Sequence, residues 1–165
     1  MWQTDLTFLS GLTDRDWLAR FIIPQHIVVN LRSDCQQNAY RELIDTIIPA
    51  DRQSDRELCL HDVLEREKTS STFLGHGVSL PHGITEATSK LQVAIGTKPD
   101  GFASSSDKDA QFVQIMLLCV CPAAQRRKYL HFTFLTANVL LLEGNRDDLL
   151  AAKTPEQVRE IMLRI

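Results

Sequence analysis

The spacing of apolar residues predicts a strand followed by a helix in the first part of the chain. Residues 27–31 are rich in β-branched side chains, which is typical of a strand. Apolar residues then recur every four positions between a cap at Ser33-Asp34 and a stop at Pro49, which predicts an amphipathic helix. The positions on its apolar stripe are Cys35, Ala39, Leu43 and Ile47.

A second helix is predicted to begin at the cap Ser54-Asp55 and to end near Arg66-Glu67. Its inward stripe consists of Arg56, Cys59, Leu60, Val63 and Leu64. The two helices follow the first strand directly, so the chain opens with a strand and two amphipathic helices.

Strands are expected again in the middle of the chain, at about 78–80, 91–97 and 112–120. A turn is expected at 99–101, because the sequence Pro-Asp-Gly favours turns. Helices and strands alternate at first and mix later. The pattern therefore predicts an α/β protein with a single mixed β-sheet flanked by helices.

The part of the chain after Pro122 is predicted to be helical. A long helix carries two neighbouring stripes. The first stripe consists of Leu130, Phe134, Ala137 and Leu141, and the second of His131, Leu135, Asn138 and Leu142. Two short helices follow, and the last begins with a capping box in which Thr154 is the cap, Pro155 is the first helical residue and Gln157 is the third.

Composition and charge narrow the class of protein. The 165 residues contain 18 Lys+Arg and 21 Asp+Glu, a formal net charge of −3. A protein that binds the phosphate backbone of a nucleic acid usually has an excess of basic residues, and this chain has none. The first residues lack the features of a signal peptide, and no apolar run approaches the roughly 20 residues of a membrane helix. We expect a cytoplasmic protein that neither binds nucleic acid nor inserts into the membrane.

Residues 1–20 are set apart as an N-terminal extension, with leucines at positions 6, 9, 12 and 18 and two tryptophans. Residues 21–165 contain no repeat or linker and are expected to form one domain. The four cysteines, at positions 35, 59, 119 and 121, form no C-x-x-C pair. We expect four reduced core thiols, of which Cys119 and Cys121 point to the same face of a strand.

Glycine is concentrated in residues 75–83, which hold three of the seven glycines. Pro81 has no amide hydrogen and is expected to mark the place where strand pairing ends. His82 then lies at the exit of a short strand, beside Gly83. An imidazole in this position is a candidate functional group, and a loop histidine without a role is an equal alternative.

The order of residues around this segment carries a more specific signal. The chain contains Arg66-Glu67, then Ser71-Thr72, Gly75-His76-Gly77 and Leu80-Pro81-His82-Gly83, and later Leu130-His131-Phe132 with Leu135. This order resembles the signature of the fructose/mannitol-type (type 2) enzyme IIA component of the bacterial phosphoenolpyruvate-dependent sugar phosphotransferase system (PTS). The resemblance covers about residues 20–165 and implies the α/β fold of that family.

The resemblance implies a phosphoryl relay that needs no metal or other cofactor. His82 corresponds to the histidine that accepts a phosphoryl group at Nε2 from the carrier HPr and passes it to a IIB component. Arg66 corresponds to an arginine that approaches this group, and His131 to a second histidine beside the acceptor. Phosphoryl transfer spreads charge over the phosphoryl oxygens, which suits a guanidinium. The glycines at 75, 77 and 83 are expected to give a partner protein close access.

Each role has a structural alternative. An arginine near the end of a helix is also favoured by the helix dipole, and His131 on a helix can bond a carbonyl instead. The motif favours the functional role for Arg66 and His131. Thr72 is interpreted as a hydroxyl that closes a turn, and His76 as a solvated loop residue or as an added positive charge beside the site.

The sequence therefore predicts a phosphotransferase component that serves the uptake of a sugar or sugar alcohol. The alternative is a nitrogen-PTS-type regulatory protein, which acts through phosphorylation-dependent contacts with other proteins. A binding module without phosphoryl transfer is a third interpretation, and it is disfavoured by the presence of Arg66, His82 and His131. At this length no IIB or IIC segment is expected.

Overall fold

Six strands form one mixed sheet among residues 11–104 and 111–165, which the computed structural model describes. The strands are β1 (Ile27–Val28), β2 (Phe73–Gly75), β3 (Val78–Ser79), β4 (His82–Ile84), β5 (Gln92–Ala103) and β6 (Phe112–Cys121). Their order is β1-β5-β6-β3-β2, and β4 also pairs with β6. β5 and β6 are antiparallel, whereas β3 and β4 run parallel to β6. The predicted mixed sheet is confirmed.

Helices cover both faces of this sheet. They are α1 (Asp14–Ala19), α2 (Gln36–Ile47), α3 (Gln53–Thr69), α4 (Arg126–Leu140), α5 (Glu143–Ala151) and α6 (Pro155–Met162). The apolar residues of α2 and α3 form one buried cluster with the sheet, and those of α1, α4, α5 and α6 form another. The fold is therefore a sheet between two layers of helices.

Strand β6 contributes side chains to both clusters. Ile115, Leu117, Cys119 and Cys121 join the cluster of α1 and α4, and Met116, Leu118 and Val120 join that of α2 and α3. Successive side chains of a strand point to opposite faces, so a strand covered on both sides is apolar at every position. The expected placement of Cys119 and Cys121 on one face is confirmed, and both are buried free thiols.

The start of α2 differs from the prediction. Its cap is Cys35, which makes no side-chain capping bond, so neither Ser33 nor Asp34 has that role. The Ser33 hydroxyl instead donates to the carboxylate of Glu42 at 2.6 Å. Cys35 precedes the helix and is only partly buried, which corrects its expected place on the apolar stripe.

Two elements run further than the sequence indicates. α3 begins one residue before the expected cap and continues to Thr69, so Arg66 lies in its last turn. β5 passes through the expected turn at 99–101 with an irregular register between Thr97 and Phe102. Gly101 adopts a φ of 64° there, which explains the turn-like sequence. The predicted turn is wrong, because this segment is a kink within a longer strand.

Helix α4 buries a different face from either predicted stripe. Its buried residues are Phe132, Leu135, Thr136, Val139 and Leu140. The first predicted stripe faces solvent, since Leu130, Phe134 and Leu141 are 55%, 66% and 51% exposed. An apolar strip of surface therefore runs along α4.

The first and the last helix of the described chain each begin with a capping box. A capping box of Thr13 and Asp16 begins α1, whose Trp17 is buried in the core. Of the predicted N-terminal extension, residues 1–10 lie outside the described residues. The predicted capping box of Thr154 and Gln157 at α6 is confirmed. No helix within the described ranges has the length and apolarity needed to cross a membrane.

Candidate functional site

His82 is the first residue of β4 and lies beside the centre of the sheet. It pairs in register with Cys119 of β6, whose amide donates to the carbonyl of Pro81 at 3.0 Å. Strand pairing therefore resumes at Pro81 and does not end there as the sequence suggested. The missing amide of Pro81 costs nothing at this point, because its carbonyl is the group that bonds β6. The result is a half-buried imidazole on a strand that is paired with β6.

One ring nitrogen of His82 is held by the backbone. Nδ1 lies 3.2 Å from the carbonyl oxygen of Leu80. A carbonyl can only accept, so we assign the ring proton to Nδ1, which donates this bond. Nε2 then keeps its lone pair. This is the tautomer that a nucleophilic Nε2 requires.

The surroundings of His82 favour its neutral form. Burial is the largest cause that lowers the pKa of His82 below its ordinary value, and the cations of Arg66 and Arg126 act in the same direction. The hydrogen bond to Leu80 and the carboxylate of Glu67 act in the opposite direction and are weaker in sum. A neutral imidazole on which two cations act is suited to receive an anionic group.

Arg66 reaches the site from the last turn of α3. One N–H of its guanidinium donates to the carbonyl of Ser70 at 3.2 Å. Arg66 therefore stabilises the C-terminal end of α3, as its structural alternative predicts. A guanidinium has five N–H donors, so this bond leaves others for phosphoryl oxygens. Its charge acts on both His82 and Tyr129, in the direction that lowers the pKa of each.

The motif residues Glu67 and Thr72 tie the end of α3 to the strand that leads to His82. The Thr72 hydroxyl donates to the Glu67 carboxylate at 2.7 Å, and the Thr72 amide donates to it at 3.1 Å. The Thr72 carbonyl accepts from the amide of Leu80 at 3.0 Å. The interpretation of Thr72 as a residue that closes a turn is confirmed.

Gly83 lets α3 approach β4 closely. A Cβ at this position would lie 3.1 Å from Val63 Cγ2 and 3.2 Å from the Val63 backbone nitrogen. The sequence predicts that Gly83 gives a partner protein close access. Gly83 is instead buried, and it serves the packing of α3 on β4. Val63 and Arg66 are three residues apart and share a helix face. Gly83 therefore helps to set the distance between Arg66 and His82.

The segment Gly75-His76-Gly77 forms the turn between β2 and β3. All three residues have positive φ angles, 97°, 54° and 77°. The side chain of His76 is exposed. The interpretation of His76 as a solvated loop residue is confirmed, and the two glycines meet the conformational demand of a tight turn.

The residue of α4 that faces His82 is Tyr129. The two rings are stacked, with centroids 4.9 Å apart and planes at 29°. His131 instead packs its ring against Trp17 of α1 at 4.7 Å, and its Nε2 lies 3.8 Å from the carboxylate of Asp14. Residues two apart on an α-helix point about 200° apart, so Tyr129 and His131 cannot both face His82. The expected place of His131 beside the acceptor is therefore wrong.

Sequence reasoning missed Tyr129 and Arg126. The helical period contains a signal for the first, because Tyr129 shares a face with the buried Phe132 and Thr136 at spacings of three and seven. Arg126 is the first residue of α4, and nothing in its local sequence distinguishes it from its basic neighbours. Across the described ranges, no group of three or more His, Cys, Asp or Glu side chains could hold a metal ion.

Replacement of Gly83 by alanine tests the close packing of α3 on β4. Part of the obstacle is the Val63 backbone, so α3 must shift, and we expect a loss of about 1–3 kcal/mol in the free energy of unfolding, measured by urea titration. Gly144→Ala is the matched control, since nothing lies within 4 Å of its added Cβ and it lies in a helix. Equal stability of the two variants would contradict the packing argument.

The lowered pKa of His82 predicts a dependence of stability on pH. Because folding disfavours the imidazolium, neutral His82 contributes stability above its unfolded pKa of about 6.5, and this contribution is lost as the pH falls through the lower folded value. We expect the free energy of unfolding to fall more between about pH 7.5 and pH 5 in the wild type than in His82→Asn. Parallel pH profiles for the two proteins would show that burial does not act on His82.

Comparisons with known proteins agree on one family. The family model of the phosphoenolpyruvate-dependent sugar phosphotransferase system, EIIA 2, matches residues 20–165. The PTS system fructose-specific EIIA component of Haloferax volcanii is 30% identical over 132 residues, which are 79% of this chain and 84% of that protein.

Two solved structures share the fold. The nitrogen regulatory protein IIA-Ntr from Neisseria meningitidis matches with a TM-score of 0.77 at 20% identity, over 88% of this chain and 99% of that one. Enzyme IIAMTL from Escherichia coli, solved in complex with phosphorylated enzyme IIBMTL, matches with a TM-score of 0.66 at 18% identity, over 84% and 94%. From the family match and the shared fold together, the chain belongs to the EIIA type 2 family of the phosphoenolpyruvate-dependent sugar phosphotransferase system.

Proposed function

We propose that this protein is a phosphoryl carrier of the PTS, which accepts a phosphoryl group on Nε2 of His82 from phosphorylated HPr and passes it to a IIB component. The observation that carries the proposal is the state of His82. Its Nδ1 is bonded to the Leu80 carbonyl, its surroundings keep the ring neutral, and two arginines act on it.

The transfer is a single displacement at phosphorus. The lone pair of His82 Nε2 forms the new N–P bond while the N–P bond to the donor imidazole breaks, and the donor ring recovers its lone pair. The proton on Nδ1 stays in place. The His82 ring gains positive charge, and the hydrogen bond to the Leu80 carbonyl stabilises this charged form. The same bond acts to raise the pKa of His82 in the unphosphorylated protein.

Two cations serve the group in transit. Arg66 at the end of α3 and Arg126 at the start of α4 both act on His82. Fixed positive charges stabilise the oxygens of a phosphoryl group without the reorganisation that water would need. The same charges attract the phosphorylated form of a partner protein.

The surroundings of His82 also suit contact with a partner protein. Ile84 follows His82 by two residues and is 41% exposed, and Leu130 follows Tyr129 on α4. Exposed apolar side chains around a reactive group are a surface that protein partners bury. IIAMTL from Escherichia coli forms a complex with a phosphorylated IIB protein, which supports a IIB component as the acceptor here. We place this relay in the cytoplasm, where its partners would be.

Phosphorylation by phosphoenolpyruvate, enzyme I and HPr tests the carrier function. We expect intact mass spectrometry to show one acid-labile phosphoryl group on the wild type and none on His82→Ala. The control His61→Ala changes an exposed histidine of α3 and keeps the label. His131→Ala is also expected to keep it, because His131 contacts Trp17 and not His82. An unlabelled wild type, or a labelled His82→Ala, would overturn the proposal.

Replacement of Arg66 by alanine tests its role in transfer. We expect the rate of phosphoryl transfer from HPr to fall about 10²-fold, the usual effect of removing one charge-stabilising donor. Circular dichroism and the melting temperature should stay close to those of the wild type, because the bond from Arg66 to Ser70 is exposed. A variant that transfers at the wild-type rate would leave Arg66 only its role at the helix end.

The second candidate function is a nitrogen-PTS-type regulatory protein with the same phosphorylated histidine. Beyond Leu130, the apolar strip on α4 continues with the exposed Phe134 and Leu141, and this additional surface favours contacts with other proteins. The two functions differ in where the phosphoryl group goes. Phosphorylated protein incubated with a panel of sugar-specific IIB proteins would pass its group to one of them if it serves transport. Retention of the group with every IIB protein would favour the regulator.

A further inference from the structure

Tyr129 is anchored on the core and faces the reactive histidine. It lies in the first turn of α4, is partly buried, and packs against the cluster that contains Cys119 and Phe132. Burial is the largest cause that raises the pKa of its phenol, so the group is neutral at physiological pH. The Tyr129 ring is therefore an uncharged, immobilised aromatic surface.

The hydrogen bond to Leu80 does not by itself fix the tilt of the His82 ring plane. A single bond from Nδ1 at 3.2 Å fixes one point of the imidazole but permits the ring plane to tilt about it. The terminal torsion of histidine has a broad energy profile, so it does not fix the plane by itself. Contact with a second surface is needed to direct Nε2.

Tyr129 supplies that surface. Its ring lies nearly parallel to the imidazole, at 29°, with the centroids 4.9 Å apart. This is an offset-stacked geometry, in which tilting of one ring meets the face of the other. The negative face of an aromatic ring also attracts a cation, and the imidazole becomes positively charged while it carries the phosphoryl group. The contact therefore acts on both the orientation and the charge of His82.

We infer that Tyr129 is a positioning residue for phosphoryl transfer, whose ring fixes the plane of the His82 imidazole so that Nε2 is directed to the incoming phosphoryl group. The inference rests on the proposed carrier function for its kinetic consequence, but the orientation of His82 is a property of the unphosphorylated protein. The hydroxyl of Tyr129 has no part in it, because the stacking involves the ring alone.

Three substitutions separate the ring from its other properties. Tyr129→Phe keeps the aromatic face and loses the hydroxyl, whereas Tyr129→Leu and Tyr129→Met fill much of the volume without a planar face. We expect the rate of transfer at saturating phosphorylated HPr to fall at least tenfold in the leucine and methionine variants. The KM for HPr should change less than twofold, and Tyr129→Phe should stay within about twofold of the wild type.

Phe112→Leu is the matched control for an aromatic-to-leucine change. Phe112 is 52% exposed at the start of β6, seven residues and about 23 Å along the strand from Cys119, the partner of His82. Its transfer rate is expected to equal that of the wild type. Since Tyr129 packs on the core, thermal unfolding of each variant confirms that the protein is folded at the assay temperature.

NMR of His82 in the unphosphorylated protein gives a signal that would not change if Tyr129 had only a structural role. The ring protons of His82 should show the ring-current shift of a stacked aromatic in the wild type and in Tyr129→Phe, and lose it in Tyr129→Leu. The pKa of His82 should rise toward its ordinary value in that variant, because water reaches the exposed face of the imidazole.

The outcomes distinguish the two proposals. Absence of phosphorylation of the wild type would overturn the carrier function, and the NMR shifts would still decide the orientation of His82. A folded Tyr129→Leu that transfers at the wild-type rate, or whose His82 signals are unchanged, would overturn the positioning role. A loss in Tyr129→Phe as large as that in Tyr129→Leu would overturn it as well, since the hydroxyl would then be the active part.

Discussion

The arrangement of the site depends on the contact between Gly83 and Val63. With no side chain on Gly83, the backbone of α3 lies directly on β4, and a single Cβ would come within 3.2 Å of the Val63 nitrogen. The same helix carries Arg66 one turn later, and the bonds between Glu67 and Thr72 hold its end. A sub-ångström shift of α3 would therefore move a permanent charge relative to His82. The Pro-His-Gly order combines the proposed acceptor with the residue that permits this approach.

The electrostatics of His82 are a balance of opposed effects. Burial and the two arginines favour the neutral ring, whereas the Leu80 carbonyl and Glu67 favour the charged ring. In the proposed carrier, the nucleophile must begin neutral and the phosphorylated ring is more positive, so groups of both kinds would be needed during one transfer cycle. The arginines that disfavour a proton on His82 would favour a phosphoryl dianion at the same place.

The sequence was sufficient for the layers of the fold, because these depend on local pattern, and its motif was sufficient to propose His82 as the acceptor. The strand at β6 and the placement of Cys119 and Cys121 on one of its faces are local features, and both are found as predicted. The face that α4 presents to His82 is a tertiary property. It depends on where α1 and β6 bury that helix, so the motif histidine at 131 was placed beside His82 while Tyr129 occupies that position. The kink at Gly101 was misread for a similar reason, since strand pairing overrides a local turn preference.

Tyr129 stands beside His82 where a histidine was expected, and this difference affects the proton binding of the site. A second imidazole beside His82 would titrate in the same range and would couple to it, so that the two rings shared their macroscopic pKa values. The phenol of Tyr129 has a raised pKa and stays neutral, and the cations that act on His82 are arginines, which keep their charge. His131 is directed to Trp17 and Asp14, on the other side of the helix. In the proposed carrier, the ionisation of His82 therefore governs its loading with a phosphoryl group, because the ring stacked on it is a phenol and not a second imidazole.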